Sequence, residues 1–405
     1  MILYGVDIKY IFFRILCSIY RTVYLPFRVF ILRKKKTIIV AFVVSDLGKW
    51  KTELLYKAMV QHNRFEPYVF VTPYCHYEND GIGILINYLK EKGYRYILVD
   101  KFKKFNDFIK PDIIFYQEPY KGIIDGQYEY KKNLYSLFCY VAYGFHWNAI
   151  NWILNQPLLN ICWQIYYENE VALKGVSDQM TNGAKNCIVT GLPISDVFLL
   201  PKSAFRDPWK VQEIRKKRII WAPHYTINNS SAFCYSTFLS YCDYMLDIAD
   251  KFHDSIQIAF KPHPVLLTKL YEIWGKEKTD SYYAKWKDGN NTQLESGEYV
   301  GLFMHSDAMI HDCGTFTVEY HYTRKPVLYL LNGEDHYKDL NEFGRMAFDL
   351  HYKGSSKEDI EAFINNVIEG KDEMKEVRDR FYHNYLLPPN NDSASDNIIK
   401  AILGE

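Results

Sequence analysis

The chain has almost no charge imbalance: 49 Lys and Arg stand against 48 Asp and Glu, a formal net charge of +1. With no RNA- or DNA-binding motif either, a nucleic-acid partner is not expected. Eight cysteines, at positions 17, 75, 139, 162, 187, 234, 242 and 313, make no CxxC pair and no short-spaced Cys/His cluster, which argues against a zinc site. Scattered single thiols in a chain of 405 residues point to a reducing cytoplasm. There is no DxD-type carboxylate pair, so no obligatory metal or other cofactor is expected. No small-residue cleavage site follows the apolar N-terminus, so a signal peptide is not expected. Aromatic content is high, at 17% with 35 Tyr, and reads mainly as compositional drift.

A long uninterrupted apolar run is also missing. Residues 8–32 (IKYIFFRILCSIYRTVYLPFRVFIL) come nearest, but Arg14, Arg21 and Arg28 interrupt them, and Arg33, Lys34, Lys35 and Lys36 follow. A spanning helix needs about 20 mostly apolar residues. The seven-residue spacing of the arginines predicts a narrow cationic stripe beside a wide apolar face. That is the pattern of an amphipathic helix lying in the interface of an anionic membrane. Pro26 is expected to kink or end it. The plainer alternative is a helix packed against the protein's own core.

The remainder alternates strand-like and helix-like segments. Thr37 to Val44 (TIIVAFVV) is a β-branched apolar run, the mark of a strand buried on both faces of a parallel sheet. Further strands are predicted at Pro67–Val71, Tyr96–Val99, Asp112–Phe115, Leu137–Tyr143, Leu159–Tyr166 and Cys187–Thr190. Intervening helices are predicted at 52–61, 83–92, 102–109, 148–155 and 168–180. The polar, basic segment 200–217 is the best linker. A second series follows: strand Arg218–Ala222, helix 238–252, strand Ile256–Phe260 and a helix from Val265 to Gly275. A polar insertion at 276–298 precedes Tyr299–Phe303 and the strand Ala308–Ile310. C-terminal helices are expected at 340–350, 356–369, 371–385 and 392–403. The fold class is therefore α/β, with two doubly wound parallel-sheet domains. The expected organisation is 1–36 as interface helix and basic flank, 37–205 as the first Rossmann-like domain, 206–385 as the second, and 386–405 as a C-terminal helix.

The stretch His305 to Leu330 (HSDAMIHDCGTFTVEYHYTRKPVLYL) has the parts of a phosphate-binding strand–turn–helix unit. Asp312 ends the strand, Gly314 lets an anion approach the backbone, and Thr315 opens a helix whose free N–H groups and dipole favour negative charge. A plain crossover, with Asp312 and Thr315 as helix caps, is the competing reading. Pro223-His224 and Lys261-Pro262-His263 also lie just past predicted parallel strands, so the three loops should meet at one sheet edge. Two imidazoles, a lysine, a helix start and the Asp312 carboxylate around one point suit a pyrophosphate, so Asp312 is counted with the donor- and phosphate-binding residues.

These motifs (WAPH, FKPHP and SDAMIHDCGTFTVEYHYTRKPVLYL, preceded by VTGLPISD and FVVSDLGKWKTELLYKAM) resemble the CDP-glycerol glycerophosphotransferase family. Its members are GT-B-like enzymes of teichoic acid and capsule synthesis. The resemblance spans residues 37 to about 385 and implies two lobes facing a central cleft. It implies that Pro223 and His224 form a donor-binding pair, and that His263, in a triplet with Lys261 and Pro262, contacts the donor phosphates. Gly314 and Thr315 fall at a phosphate-binding position, and Glu319 falls where a family Asp would hold the ribose or the donor alcohol. The family's first-lobe His-Gly-Thr-Pro loop is absent here; His146, in Tyr143-Gly144-Phe145-His146, is the substitute candidate for the acceptor-side base, with Asp46 as the other. An Arg expected after the Gly-x-Pro turn is Ile194. The implied reaction is transfer of glycerol phosphate, or a related polyol phosphate, from a CDP-alcohol to a polysaccharide or lipid-linked hydroxyl, releasing CMP. The implied place is the cytoplasmic face of a bacterial plasma membrane, as a peripheral protein. Alternatives are a GT-B glycosyltransferase using a nucleotide sugar, and an inactive scaffold of the same pathway.

Overall fold

The structure, a computed structural model, describes residues 2–3, 6–72, 81–99, 105–120, 129–149, 154–227 and 235–405. It divides into two compact units. The first comprises Met1–His146, Ile150–Val197 and Leu387–Glu405; the second comprises Trp147–Ala149 and Phe198–Leu386.

The first unit is built on seven parallel strands: β1 (Ile38–Val44), β2 (Phe65–Val71), β3 (Tyr96–Leu98), β4 (Ile113–Tyr116), β5 (Leu137–Tyr140), β6 (Gln164–Tyr167) and β7 (Cys187–Val189). Their order is β3-β2-β1-β4-β5-β6-β7. β1 is central and in register with β2 from Ile38↔Phe65 to Val44↔Val71, and Val40, Ala41 and Phe42 are wholly buried. This is the two-sided burial that its β-branched run requires. The C-terminal helix Ala394–Leu403 belongs to this unit rather than standing apart. The buried Asp196 carboxylate accepts from the N–H groups of Ala394 and Ser395 and from the Ser395 hydroxyl.

Four local expectations differ from the structure here. The segment expected as one strand at 159–166 is a short helix, Pro157–Ile161, followed by β6, because Pro157 presets the first helical turn. The helix expected over 168–180 is confined to Glu170–Leu173, and the chain reverses at Gly175, whose φ of +79° is open to glycine. The helix expected at 148–155 is displaced at its start: Asn148 forms a β-bridge with Leu340, and 150–153 lie outside the described residues. Of the helix expected at 102–109, residues 102–104 also lie outside them, and Phe105–Asp107 is a 3-10 turn.

The N-terminal helix runs from Ile8 to Lys34 through a widened π-turn at Tyr20–Tyr24, where the Leu25 N–H bonds Tyr20 O. That widening absorbs Pro26, which has no N–H to give. The cationic stripe is corrected. Arg21 Nη1 donates to Cys162 O at 3.2 Å, and Arg28 donates to Tyr135 O, so both turn inward onto the first unit. What faces outward is apolar: Ile11, Phe12, Ile15, Leu16, Ile19, Val23, Phe27 and Phe30 are all exposed. Arg14 is exposed, while Lys35 pairs with Asp112 at 2.6 Å. By length and composition the stretch Arg14–Lys34 could also cross a membrane.

The second unit repeats the plan with six parallel strands: β8 (Lys217–Ala222), β9 (Ile256–Phe260), β10 (Thr292–Leu294), β11 (Ala308–His311), β12 (Val327–Leu330) and β13 (Tyr352–Gly354), in the order β10-β9-β8-β11-β12-β13. One aromatic stack centres its core, with Trp221 against Phe260 (4.9 Å) and Trp286 (5.4 Å). Trp286 belongs to the segment 276–298, which is no exposed insertion. It forms the helix Lys276–Asp288 and then β10, because Thr279, Tyr282 and Trp286 share one helix face and bury it. Tyr299 opens another helix, Val300–His305, as its N-cap.

Candidate functional site

In the second unit the strand order reverses between β8 and β11, the place where open α/β sheets bind ligands beyond their carboxyl ends. The loops after β8, β9 and β11 meet there. Asp312, immediately after β11, is 1% exposed, and its carboxylate ties the loops together. Oδ1 accepts from the His224 N–H at 2.5 Å; Oδ2 accepts from Thr237 N–H at 2.6 Å and Thr237 Oγ1 at 2.8 Å. Burial pushes its pKa up to about 6, against the opposing pull of these bonds. Asp312 thus fixes the site's frame, and its oxygens face protein donors.

His263 N–H bonds Pro223 O at 3.0 Å, which joins the β8 and β9 loops directly. The His263 ring caps the helix Pro264–Trp274, its Nδ1 accepting from Val265 N–H at 3.2 Å. Burial, then the neighbouring Lys261 ammonium, hold its pKa down to about 4. The neutral ring with an accepting Nδ1 carries its proton on Nε2 and is a donor there. His224 lies edge-on to it, ring centres 5.2 Å apart, with Nδ1 2.9 Å from Thr226 Oγ1. Burial and His263 hold His224 down to about 3. Tyr225 covers both rings at 4.4 Å. Pro262 is half-buried between Lys261 and His263. Lys261 is 7% exposed, and its ammonium bonds Gly297 O at 3.1 Å.

The turn after β11 is tighter than expected. The α-helical part is only Phe316–Glu319, continued by a 3-10 turn over Tyr320–Thr323, so its dipole is small. What it offers is backbone: among the described residues no group accepts from the N–H of Gly314 or Thr315. A Cβ at Gly314 would lie 2.5 Å from Trp147 Cζ2, so the turn accommodates that indole only as glycine. Trp147 is anchored in this unit, its carbonyl accepting from Asn341 N–H at 3.1 Å. Glu319 is buried and accepts from Tyr299 Oη at 2.5 Å, placing it beneath the turn, with the Tyr299 ring 5.7 Å from Lys261 Nζ.

Behind the turn lies a chain of buried imidazoles that the sequence did not announce. Cys313 N–H donates to His311 Nδ1 at 3.1 Å, and His311 Nε2 is 3.1 Å from His351 Nε2. His351 Nδ1 reaches Ala347 O at 3.0 Å, and His321 Nε2 reaches the same carbonyl at 2.9 Å. With Nδ1 of His311 accepting, its Nε2–H must donate to His351, which fixes each tautomer along the chain.

The first unit holds the other candidate. His146 donates twice to Glu168: N–H to Oε1 at 2.7 Å and Nδ1 to Oε2 at 2.7 Å. Its ring stacks on Tyr167 at 4.1 Å. A carboxylate holding Nδ1–H places the ring's lone pair on Nε2, the tautomer of an oriented general base. Glu168, 4% exposed at the end of β6, was missed in the sequence; its one signal was an acid directly after a buried strand. The other base candidate, Asp46, instead caps a turn through Gly48 N–H at 2.7 Å.

The fold is shared with solved structures of low identity. A variant of the wall teichoic acid polymerase TagF aligns at 12% identity over 98% of both chains, with a TM-score of 0.63. A UDP-N-acetylglucosamine 2-epimerase aligns at 16% identity over 91% of this chain and 96% of its own, with a TM-score of 0.60. The UDP-GlcNAc 2-epimerase from Neisseria meningitidis bound to UDP-GlcNAc aligns at 15% over 91% and 100%, TM-score 0.58. These likenesses establish a GT-B-like fold of two parallel-sheet domains. None of the curated proteins matches the sequence. Over residues 169–404, which hold every donor-side residue described above, the sequence matches the profile of the CDP-glycerol:poly(glycerophosphate) glycerophosphotransferases, and the chain belongs to that family.

Proposed function

We propose that the protein transfers glycerol phosphate from CDP-glycerol to a hydroxyl of a cell-surface polymer or lipid-linked acceptor of the teichoic acid type. The observation that carries this reading is the meeting of His263, His224, Lys261 and the Gly314–Thr315 turn at one sheet edge of a family member. The acceptor oxygen attacks the β-phosphorus, the anhydride bond to the α-phosphate breaks, and CMP departs with the bonding electron pair. The His263 Nε2–H, the Lys261 ammonium and the Gly314 and Thr315 N–H groups stabilise the charge gathering on the phosphates. His224 orients the diphosphate, and Glu319 with Tyr299 supports the donor's ribose or alcohol side. His146, held by Glu168, takes the acceptor proton on Nε2. Donors of this kind supply charge stabilisation without a metal, so excess EDTA should leave turnover unchanged.

The N-terminal helix supports peripheral attachment to the membrane, in a different manner from a basic stripe. Its exposed apolar face enters the interface, with Arg33, Lys34 and Lys36 at its end toward anionic lipid, while Arg21 and Arg28 serve the protein. Vesicle co-sedimentation tests this: Phe12→Glu, Val23→Glu and Phe27→Glu together should abolish binding, and unchanged binding would refute it.

The deciding experiment is CMP release from CDP-glycerol by the purified protein, with and without a membrane extract of its source. Acceptor-stimulated release is expected. Turnover of UDP-N-acetylglucosamine instead would favour glycosyl transfer, the second reading, which the epimerase-like fold supports. Absence of turnover and of any thermal shift with CMP would refute both.

A further inference from the structure

The three middle strands of the first unit's sheet, β1, β4 and β5, lie side by side and parallel, so the segments that lead into them share one edge. It is the amino edge, opposite the strand ends that Glu168 follows. That edge is basic. Lys34 and Lys36 precede β1, Lys110 precedes β4, and Lys131 and Lys132 precede β5, all of them exposed. Against them stand the exposed Asp107 and the half-buried Glu129, while Asp112 is buried and already paired with Lys35.

This edge and the N-terminal helix are one surface. Tyr24 Oη donates to Leu134 O at 2.9 Å, and Arg28 donates to Tyr135 O, which fastens 134–135 to the helix. The buried Asn133 folds the segment on itself, its Nδ2 donating to Glu129 O at 2.9 Å. Ser136 Oγ donates to Pro111 O at 2.6 Å and so joins the segment to the residue after Lys110. In this fixed frame Leu134 stays 45% exposed, two residues after Lys132. Lys34 Nζ rests 3.9 Å from the centre of the exposed Phe30 ring, and Lys110 Nζ lies 5.4 Å from that of Tyr135. Ammonium groups carried over apolar and aromatic surface are the arrangement of a water–lipid interface.

We infer that this amino edge is a second membrane contact, in which Lys110, Lys131 and Lys132 meet the headgroups of an anionic bilayer and Leu134 enters its interface. The occupant follows from charge: the edge carries surplus positive charge, and an anionic leaflet supplies the complement. The helix's apolar face gives depth in any lipid, whereas the lysines give preference for anionic lipid. Two contacts, on the helix and on a segment more than a hundred residues later, also fix how the sheet stands on the bilayer: amino edge toward it, Glu168 end away. The inference rests on the interfacial reading of the helix and adds the charge of the lipid to it.

The test is co-sedimentation of the full chain with vesicles of phosphatidylcholine and of phosphatidylcholine mixed with phosphatidylglycerol. A lysine near an anionic surface strengthens binding about fivefold, so Lys110→Gln, Lys131→Gln and Lys132→Gln together should weaken binding to the anionic vesicles about a hundredfold and leave the neutral ones unaffected. Leu134→Ser should weaken binding to both kinds about fivefold. Both variants should keep the wild-type melting temperature. An assay that needs no variant is acetylation of the wild type, read by mass spectrometry: anionic vesicles should protect Lys110, Lys131 and Lys132 more than neutral ones do. Unchanged binding of the lysine variant to anionic vesicles, an equal loss on neutral ones, or unprotected lysines would overturn the inference. A wild type that binds neither vesicle would overturn the helix reading with it, whereas vesicle binding without CMP release would fault the transferase reading alone.

Discussion

Acidification should destabilise the second unit through its buried imidazoles, and one substitution should remove a known share of that loss. His311, His321 and His351 are 0%, 0% and 1% exposed. Burial holds His311 and His321 near pKa 3 and His351 well below its ordinary value, with the Lys353 ammonium adding to the effect on all three and Arg378 to that on His321. In the unfolded chain each titrates near 6.5. A depressed folded pKa means that the unfolded chain takes up protons first, so the stability present above pH 6.5 falls as pH drops toward 3. At about 1.4 kcal/mol per pH unit, His311 and His321 each lose about 2 kcal/mol between pH 7 and 5. His351 loses stability in the same direction. That is a large part of the roughly 5–15 kcal/mol that holds a domain folded. Lys353, lowered to about 8 by burial, titrates above this window and does not contribute. His321 is the residue to change, because its Nδ1 is buried with no partner among the described residues. His321→Phe removes that orphan acceptor and keeps an aromatic ring against Phe381, 5.8 Å away. Urea unfolding at pH 7 and 5, followed by tryptophan fluorescence, reads mainly the second unit, which holds Trp147, Trp209, Trp221, Trp274 and Trp286. The variant should lose about 2 kcal/mol less than the wild type between the two pH values. Equal losses would refute the assignment of neutral imidazoles to this chain.

Three further outcomes test the site. His263→Ala should lower CMP release about 100- to 1000-fold, the usual cost of one preorganised donor, while costing in urea unfolding only the roughly 0.5–2 kcal/mol of a lost helix cap. Glu168→Gln replaces the acceptor of the His146 Nδ1 proton by an amide; initial rates should fall about 100- to 10,000-fold, with donor KM unchanged. Gly314→Ala places a methyl 2.5 Å from Trp147 Cζ2 and must displace the indole, so isothermal titration with CMP should show weakened binding together with altered tryptophan fluorescence.

The sheets were legible in the sequence because the central buried parallel strands carry apolar runs, continuous in Ile38–Val44 and broken only by Gln257 in Ile256–Phe260. The donor-side loops were legible for the same reason: a residue just past a strand has its place set by that strand. Groups whose role depends on a distant partner were not legible. Asp312 reads as a phosphate ligand or a cap until Thr237, 75 residues away, is seen to hold its carboxylate inward. Arg21 and Arg28 read as a surface stripe because seven-residue spacing gives a shared helix face but not what lies opposite. Here it is the carbonyls of Cys162 and Tyr135, more than a hundred residues on. The helix at 276–288 failed on composition: its polar residues outnumber the two aromatics whose burial decides it.

The same distinction explains why the donor site can be built largely from neutral groups. A cluster of cations would have been visible as charge in the loops, but only Lys261 among the converging side chains is cationic. The imidazoles of His263 and His224 are kept neutral by burial, which water exclusion at a strand-end crevice provides. Fixed N–H donors in such a place lose little on binding a diphosphate, because the protein has already oriented them: Val265 orients His263, and His311 anchors the Cys313 amide just before Gly314 and Thr315. Asp312 then supplies a buried carboxylate to the frame, and its three donors come from the β8 loop and from Thr237, the N-cap of the helix that follows it. A strand-end carboxylate that faces inward is therefore what allows the neighbouring N–H groups to face out.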